Sequence, residues 1–260
     1  MANWSVMSGA STLDWSATQN QVPGGATYSA LMNSSLDKMY PNLGMELSGR
    51  SVATFYIYDS TATRAYGEVR SYVEAGYSPS ATLQNLYAIG KSNAVTLAGE
   101  IYDGTKYQGR IAIGPGPNGW FNLNAPGAPS RSPGWHRFDI RRLADGVTYN
   151  FYVDGVLGRS FTGIANFPWD TVTIGSVAAG SSAGDAYFDG VEIASFSGVA
   201  AVPLNIRLVN DAVVLTWSNA AFRLQSSPAA SGIYADIPGA TSPFTNAFAE
   251  PQRFFRLIAN

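Results

Sequence analysis

Hydrophobic and polar residues alternate with a period of two along much of the chain, which is the pattern of half-buried β-strands. Residues 68–75 show it most clearly, because Val69 and Val73 share one predicted face while Arg70 and Tyr72 share the other. The pattern therefore predicts an extended strand with one apolar side and one polar side. No long stretch has the 3.6-residue period of a helix, so the chain is predicted to be all-β.

Further strand-like runs lie between turn residues at intervals of roughly 8–12 residues, the spacing of a sandwich or jelly roll. The run at 52–58 is apolar on both faces, as expected of a central strand. Asp-Gly pairs at 145–146 and 154–155 favour hairpin turns, because such turns need positive φ. Residues 135–161 are therefore predicted to form a three-stranded antiparallel meander. The other predicted strands are 85–89, 95–102, 107–113, 171–174 and 186–193.

The composition changes after the last of these runs. We interpret residues 198–203 as a linker between a sandwich domain at 1–197 and a small β module at 204–260. Strand-like runs in the module lie at 212–217, 222–226, 234–237 and 253–258. Trp217 is expected in its core, since no other tryptophan lies beyond the linker. A module of this size is near the lower limit for folding without disulfides, so we expect it either to lean on the first domain or to be only marginally stable on its own.

The composition argues against several classes of function. The net charge is −2 and no basic cluster exceeds two adjacent residues, so nucleic-acid binding is not expected. There is no cysteine, which excludes disulfides and thiolate sites, and no apolar run is long enough to span a membrane. Few charges with many Gly and Tyr residues favour a secreted or cell-surface bacterial protein. The first ten residues lack the features of a signal peptide, so we expect that an export signal was removed and replaced by Met1.

Two segments of the chain resemble a known family. Residues 134–140 (GWHRFDI) and 149–155 (YNFYVDG) are similar to the core of concanavalin A-like, or laminin-G-like, lectin and glucanase domains. Residues 174–175 and 186–191 resemble the closing segment of that superfamily. The resemblance implies a jelly-roll sandwich of two antiparallel sheets over residues 3–196. The module after it resembles a short fibronectin-III-like tail. A jelly roll hosts lectins, glycosidases, lyases and adhesive modules, so the fold alone does not assign a function.

The sequence lacks the string of paired carboxylates that carries hydrolysis in the resembling glucanases. Asp189 and Glu192 are the nearest pair, but their odd spacing places them on opposite faces of a regular strand. His136 is the only histidine and shares a face with Phe138 and Ile140, so we interpret it as a partly buried structural residue. A Ser-His-Asp triad through His136 stays open, although no Gly-x-Ser-x-Gly elbow supports it.

A carbohydrate site needs an aromatic platform for the sugar ring and hydrogen-bonding side chains beside it. The candidate ligand-binding residues are Arg70, Tyr72, Tyr107, Arg110 and Trp120. Trp120 follows a Pro-Asn-Gly turn, so it is expected at a loop edge; the alternative is that it plugs one end of the sandwich. Lyases of the family that the chain resembles use an Arg, a Gln or Asn, a His and a Tyr on one sheet. His136 together with the arginines and tyrosines of this set would supply most of these groups.

No cofactor is predicted. Asp189 is a candidate ligand of a structural calcium ion, but no loop is dense enough to supply the six or more oxygen ligands that calcium takes. The leading interpretation is a non-catalytic carbohydrate-binding or adhesive module with a glycan or polysaccharide ligand. The alternatives are a polysaccharide lyase or glycoside hydrolase, and a self-associating subunit of a surface layer or filament.

Overall fold

The chain is all-β, and the computed structural model has no helix among the residues that it describes. These residues are 4–8, 14–16, 29–32, 38–60, 64–113, 116–164, 167–175, 186–196, 202–210, 212–247 and 252–259. Within them there is accordingly no helix long and apolar enough to cross a membrane. The chain divides into two compact units, Met1–Phe196 and Ser197–Asn260. Most of the predicted linker lies outside the described residues.

The first unit is an antiparallel β-sandwich of the jelly-roll class. Its strands are β1 (Ser5–Ser8), β2 (Asp14–Ser16), β3 (Ser29–Met32), β4 (Lys38–Tyr40), β5 (Asn42–Leu47), β6 (Arg50–Asp59), β7 (Ala65–Tyr72), β8 (Leu83–Lys91), β9 (Gln108–Ile113), β10 (Asn118–Asn122), β11 (Gly134–Arg142), β12 (Tyr149–Val153), β13 (Val156–Phe161), β14 (Trp169–Gly175) and β15 (Ala186–Phe196). One sheet has the order β1-β4-β14-β7-β8-β9-β10, with β5 also paired to β14, and the other has the order β13-β12-β11-β6-β15-β3-β2. The predicted fold class is confirmed.

One hydrophobic core lies between the two sheets. Phe55 and Ile57 of β6 enter it from the seven-stranded sheet, and Val69 and Tyr87 enter it from the eight-stranded sheet. The sheets approach closely at Gly67, where an added Cβ atom would lie 2.2 Å from the Phe55 ring. A glycine is therefore required at this point of β7, because any side chain would collide with the ring.

The predicted meander is present as β11, β12 and β13, paired antiparallel. Asp154 and Gly155 both have positive φ, of 49° and 79°, as a two-residue hairpin turn requires. At the other turn Gly146 has positive φ, whereas the Asp145 carboxylate accepts hydrogen bonds from two backbone N–H groups further along the loop. The two Asp-Gly pairs thus make different turns, although both connect the predicted strands.

One predicted strand is absent and one predicted strand boundary is wrong. Residues 95–102 contain no strand: Glu100 donates its N–H to the Leu97 carbonyl at 3.0 Å in a turn, and the N–H groups of Thr96 and Leu97 both donate to the Trp120 carbonyl at 2.9 Å. Strand β7 ends at Tyr72, because a turn follows in which Ala75 has a φ of 52° and donates its N–H to the Tyr72 carbonyl. Strands β1–β5 and β10, of three to six residues each, are not predicted by the sequence pattern.

The second unit contains two three-stranded sheets. Its strands are β16 (Asn205–Val209), β17 (Ala212–Thr216), β18 (Phe222–Ser227), β19 (Ala235–Asp236), β20 (Phe244–Ala247) and β21 (Phe254–Ala259), in the orders β16-β17-β20 and β19-β18-β21. Leu215, Trp217, Phe222 and Leu224 form its buried core. Trp217 is 7% exposed, which confirms its predicted core position. The likeness of this unit to a fibronectin-III module remains a prediction.

Candidate functional site

Charged and aromatic side chains collect on the side of the eight-stranded sheet that points away from the core. We call this side the polar face and define it by the even-numbered residues of β7 and their cross-strand partners. One row of partners crosses five strands in the order Thr173, Glu68, Ala88, Arg110 and Trp120. At about 4.8 Å between strands, the row is roughly 19 Å long. The sheet register therefore aligns residues that are far apart in sequence.

Glu68 lies in this row and is fully buried. Lys38 Nζ donates to its two carboxylate oxygens at 3.1 and 3.0 Å. Arg70 donates to Glu68 Oε2 through two nitrogens, at 2.6 and 2.9 Å, and Thr173 Oγ1 donates to the same oxygen at 2.6 Å. A buried carboxylate is costly unless it is paired and hydrogen-bonded, and here two cations and a hydroxyl meet that need.

These partners fix the charge of Glu68. Burial alone would raise the pKa of Glu68, but the charges of Arg70 and Lys38, with hydrogen bonds from Thr173 and Arg70, outweigh it and lower the pKa to about 2. Burial lowers the pKa of Lys38 to about 8 against the attraction of Glu68. A catalytic general acid needs a raised pKa, so that it holds its proton at neutral pH. Glu68 is therefore unsuited to protonate a glycosidic oxygen, and its direct row partners are not carboxylates.

Tyrosines line one end of the polar face. Arg70 connects Glu68 to them, because its NH1 group donates to the Tyr72 hydroxyl at 2.8 Å. The Tyr72 ring lies edge-on to Tyr77, with centroids 5.6 Å apart, and Tyr77 lies 4.7 Å from Tyr40 in the same way. Tyr72 is 4% exposed, whereas Tyr40 and Tyr77 are half-buried. At this end Tyr40 and Tyr77 are therefore the rings that a ligand can reach.

Trp120 lies at the other end of the row and is partly exposed. Its ring is edge-on to Tyr66, with centroids 5.0 Å apart, and the Arg110 guanidinium lies 5.9 Å from its centroid. Tyr66 packs with Leu86 and Ala88 in a small buried cluster against which Trp120 rests. An aromatic ring beside an apolar floor and a cation is a surface on which a sugar ring can stack and hydrogen-bond.

Four of the five predicted ligand-binding residues lie on the polar face. They are Arg70, Tyr72, Arg110 and Trp120. Tyr107 does not, because it is 1% exposed and lies in the core, where its ring centroid is 5.0 Å from that of Phe138. Residues 107 and 110 are an odd number of positions apart, so the alternation around β9 points them to opposite sides. The binding role of the other four stays a prediction, although Tyr72, at 4% exposed, offers a ligand little surface.

Sequence reasoning missed Lys38, Glu68 and Tyr66. A signal for Glu68 was available, since it lies two residues from Arg70 on the same predicted face. Tyr66 lies two residues before Glu68 on the same face, but the predicted strand begins only at residue 68. Lys38 belongs to a three-residue strand that reaches the polar face only through the pairing of β4 with β14. Such a position has no recognisable pattern in the sequence.

Asp189 lies on the outer side of the seven-stranded sheet. A β-bulge interrupts its strand, so that Asp189 pairs with Tyr56 and Glu192 pairs with Thr54. Tyr56 and Thr54 share a face of β6, and the two carboxylates therefore also share a face, contrary to the expectation for a regular strand. Asp189 Oδ1 accepts a hydrogen bond from the Gly190 N–H at 2.8 Å. No three acidic, histidine or cysteine side chains of the described residues come together, and the role of Asp189 as a calcium ligand stays a prediction.

His136 lies on the core side of β11, as predicted, and both of its ring nitrogens face acceptors. Nδ1 is 2.7 Å from Asp154 Oδ2, and Nε2 is 2.8 Å from the Ser132 carbonyl oxygen. The Ser132 hydroxyl lies 3.3 Å from Nε2, so the three residues have the order of a catalytic triad. A general base, however, needs an unprotonated nitrogen whose lone pair faces the nucleophile, whereas Nε2 faces the Ser132 carbonyl and so donates a hydrogen there. Burial lowers the pKa of His136, but its bonds to Asp154 and Ser132 outweigh this and raise it, so the geometry favours His136 as a structural cross-link between these two residues.

No protein-family model matches the chain, and no curated protein matches it. Solved structures with a similar fold include Cip1, titled a cellulose induced protein, at 12% identity and a TM-score of 0.44, covering 73% of this chain and 88% of that one. Another is domain 4 of AbnA, a GH43 extracellular arabinanase from Geobacillus stearothermophilus in complex with arabinotriose, at 11% identity and a TM-score of 0.39, covering 72% and 82%.

A third similar structure is the carbohydrate recognition domain of Emp47p, at 10% identity and a TM-score of 0.38, covering 74% of this chain and 86% of that one. Identities this low, with TM-scores below 0.5, carry no information about the ligand or the reaction of this protein. The side chains of the polar face are therefore the basis for inferring its function.

Proposed function

We propose that the polar face binds a glycan and that this protein is a non-catalytic carbohydrate-binding module of an exported protein. The observation that carries the proposal is the partly exposed Trp120 ring, which stands beside Arg110 at the end of a row that crosses five strands. Sugar rings stack their apolar faces on aromatic rings, and their hydroxyls hydrogen-bond to charged side chains. Thr173, Glu68 and Ala88 of the row are buried, so a glycan would contact the face at Arg110 and Trp120 and, near the other end, at the partly exposed Tyr40 and Tyr77.

The chemistry of Glu68 supports binding rather than cleavage. Hydrolysis of a glycosidic bond takes two carboxyl groups, one of which starts protonated. Glu68 is ionised, is tied to Lys38 and Arg70, and has Thr173 and Ala88 as its row partners. The polar face thus supplies recognition groups without the acid that would protonate a leaving group.

The test is calorimetric titration of the full chain with a panel of polysaccharides and oligosaccharides. We expect dissociation constants between about 1 mM and 1 µM, which correspond to roughly −4 to −8 kcal/mol. Trp120→Ala should weaken binding about tenfold or more, because stacking contributes on the order of 1 kcal/mol beyond the buried area. Trp135→Ala is the matched control, since Trp135 is also partly exposed and packs edge-on against Tyr58, but on the other sheet. Unchanged binding by Trp120→Ala would contradict the proposal.

A second candidate function is glycoside hydrolysis on the outer side of the seven-stranded sheet. The bulge in β15 places Asp189 and Glu192 on one face there, and Tyr58, Trp135 and Tyr187 form an aromatic cluster on the same side. Two carboxylates beside aromatic rings are the groups that such a reaction uses. Release of reducing ends that disappears in both Asp189→Asn and Glu192→Gln would establish this function in place of simple binding.

The alternative of a self-associating structural subunit stays a prediction. In the second unit, Ile206 and Leu208 of the edge strand β16 are 63% and 64% exposed, and exposed apolar edge strands favour pairing with other chains. Sedimentation at several concentrations separates the two functions. A monomer agrees with a binding module, and a polymer that grows with concentration agrees with a structural subunit.

A further inference from the structure

Positive charge is in excess on the polar face. The cationic side chains are Lys38 of β4, Arg64 directly before β7, Arg70 of β7 and Arg110 of β9. Arg64, Arg70 and Arg110 all act on the Tyr66 phenol, whose pKa burial raises, and Arg70 and Arg110 act on Lys38. Glu68 is the carboxylate that acts on both groups. Around Tyr66, three arginines and Lys38, whose Nζ lies 5.3 Å from the ring centroid, thus stand against one carboxylate among the described residues.

Glu68 forms ion pairs with two of these four cations and with neither of the other two. Its ion pairs are with Lys38, at 3.0 Å, and with Arg70, at 2.6 Å. Arg64 and Arg110 form no ion pair with any other residue that the structure describes, and in each of them Nε is buried without a hydrogen-bond partner. Buried N–H donors are nearly always paired, because a desolvated donor without an acceptor costs free energy. Arg64 and Arg110 are themselves partly exposed, so each leaves a positive charge that no described carboxylate neutralises and that an external anion can approach.

We propose that the glycan bound on the polar face is acidic and that Arg64 and Arg110 bind its carboxylate or sulfate groups, an inference that rests on the proposed function. A guanidinium group presents several N–H donors in a rigid fork that matches the oxygens of such anions. Arg110 lies 5.9 Å from the Trp120 ring centroid, so a sugar stacked on Trp120 brings its acidic substituent within reach of the arginine. Lys38 and Arg70 add to the positive field but keep their bonds to Glu68.

The charge of the whole chain makes this inference specific. The net charge is −2 and the sequence pI is about 5.4, so a polyanion is repelled by the protein as a whole at neutral pH. Binding of an acidic polysaccharide consequently needs a local group of cations with unmatched donors. Among the described residues, the polar face provides such a group through Arg64 and Arg110.

The experiment compares matched charged and neutral probes by calorimetry on the full chain. The carboxylate arm uses polygalacturonate against its fully methyl-esterified form, and the sulfate arm uses dextran sulfate against dextran. We expect one charged probe to bind at least tenfold tighter than its neutral counterpart, with an affinity that falls as salt is added. Arg64→Gln and Arg110→Gln should each weaken that probe by about 10- to 100-fold, the usual effect of losing a hydrogen bond to a charged group.

Arg50→Gln is the matched control for Arg110→Gln. Arg50 is exposed on the seven-stranded sheet and lies 5.2 Å from the Phe196 ring centroid, much as Arg110 lies beside Trp120. Arg50 lines a pocket with Arg137 and Arg141, so equal loss of affinity in the two variants would mean unspecific attraction or binding on the seven-stranded sheet as well, and either would overturn the inference. Equal binding of charged and neutral probes, with both lost in Trp120→Ala, overturns the acidic ligand but leaves the proposed function intact. Failure of every glycan to bind overturns both.

Discussion

Replacement of Glu68 by glutamine removes a buried negative charge while keeping the size of the side chain. Lys38 then loses a carboxylate partner at 3.0 Å, and Arg70 loses one at 2.6 Å. The two cationic side chains are only 9% and 11% exposed, so water replaces the lost partner poorly. Removing one member of a buried ion pair typically costs about 3–5 kcal/mol, and we expect a loss of that size in the first unit.

The pH dependence of the parent protein gives an independent magnitude. The pKa of Glu68 is about 2 in the folded protein, against an ordinary value of 4.5. A lowered carboxylate pKa stabilises the fold above the unfolded-state value, and here that amounts to about 3 kcal/mol. This contribution is lost as the pH falls from about 4.5 to about 2. Lys38 has a pKa of about 8 instead of 10.5, which opposes folding by a similar amount below pH 8.

The contributions of Glu68 and Lys38 nearly cancel at neutral pH. In the acid range the effect of Glu68 is the difference between parent and variant, because other carboxylates with a lowered pKa, such as Asp59 and Asp154, titrate in both proteins. The assay is urea unfolding read by pulsed hydrogen exchange and mass spectrometry, because peptides from β7 and β14 report the first unit separately. Between pH 4.5 and 2 the parent should lose about 3 kcal/mol more than Glu68→Gln, which starts lower. Glu74→Gln, at an exposed carboxylate beyond β7, is the control. A loss below about 1 kcal/mol in Glu68→Gln at pH 7 would refute the reasoning.

Three further outcomes are expected. The raised pKa of His136 stabilises the fold below pH 6.5, and this stabilisation is lost as the pH rises through the folded-state pKa. His136→Asn should remove this pH dependence. An NMR titration that gives His136 a pKa below 6.5 would contradict the prediction. Trp217→Ala should destabilise the second unit by about 3–5 kcal/mol without weakening glycan binding, so a melting point within a degree or two of the parent would count against its core role. Gly67→Ala places a Cβ atom 2.2 Å from the Phe55 ring and should cost about 1–3 kcal/mol, measured by urea unfolding; unchanged stability would show that the sheets can separate there.

Sequence reasoning succeeds where local pattern decides the structure. The alternation at β7 gives the shared face of Arg70 and Tyr72, and the Asp154–Gly155 turn follows from the need for positive φ. Trp217 is correctly placed in a core, because the small unit has no other residue of that size. These features depend on residues within a few positions of each other, so a single sequence is enough to predict them.

It fails where long-range pairing or an irregular strand decides the structure. Lys38 reaches Glu68 only because β4 pairs with β14, which follows it by more than 120 residues. The bulge beside Asp189 reverses the face of Glu192, and neither residue signals an extra position in the strand. The cationic group on the polar face is therefore a product of sheet register, which local alternation does not specify.

Hydroxyl-radical footprinting of the full chain, with and without its best-binding glycan, locates the ligand without any mutation. Trp120 and Trp135 are both partly exposed and serve as paired reporters on the two sheets. If a glycan lies along the polar face, saturating ligand lowers the labelling of Trp120, Tyr40 and Tyr77 and leaves Trp135 unchanged. Protection of Trp135 with undiminished labelling of Trp120 would place the ligand on the seven-stranded sheet and contradict the polar face as the binding site.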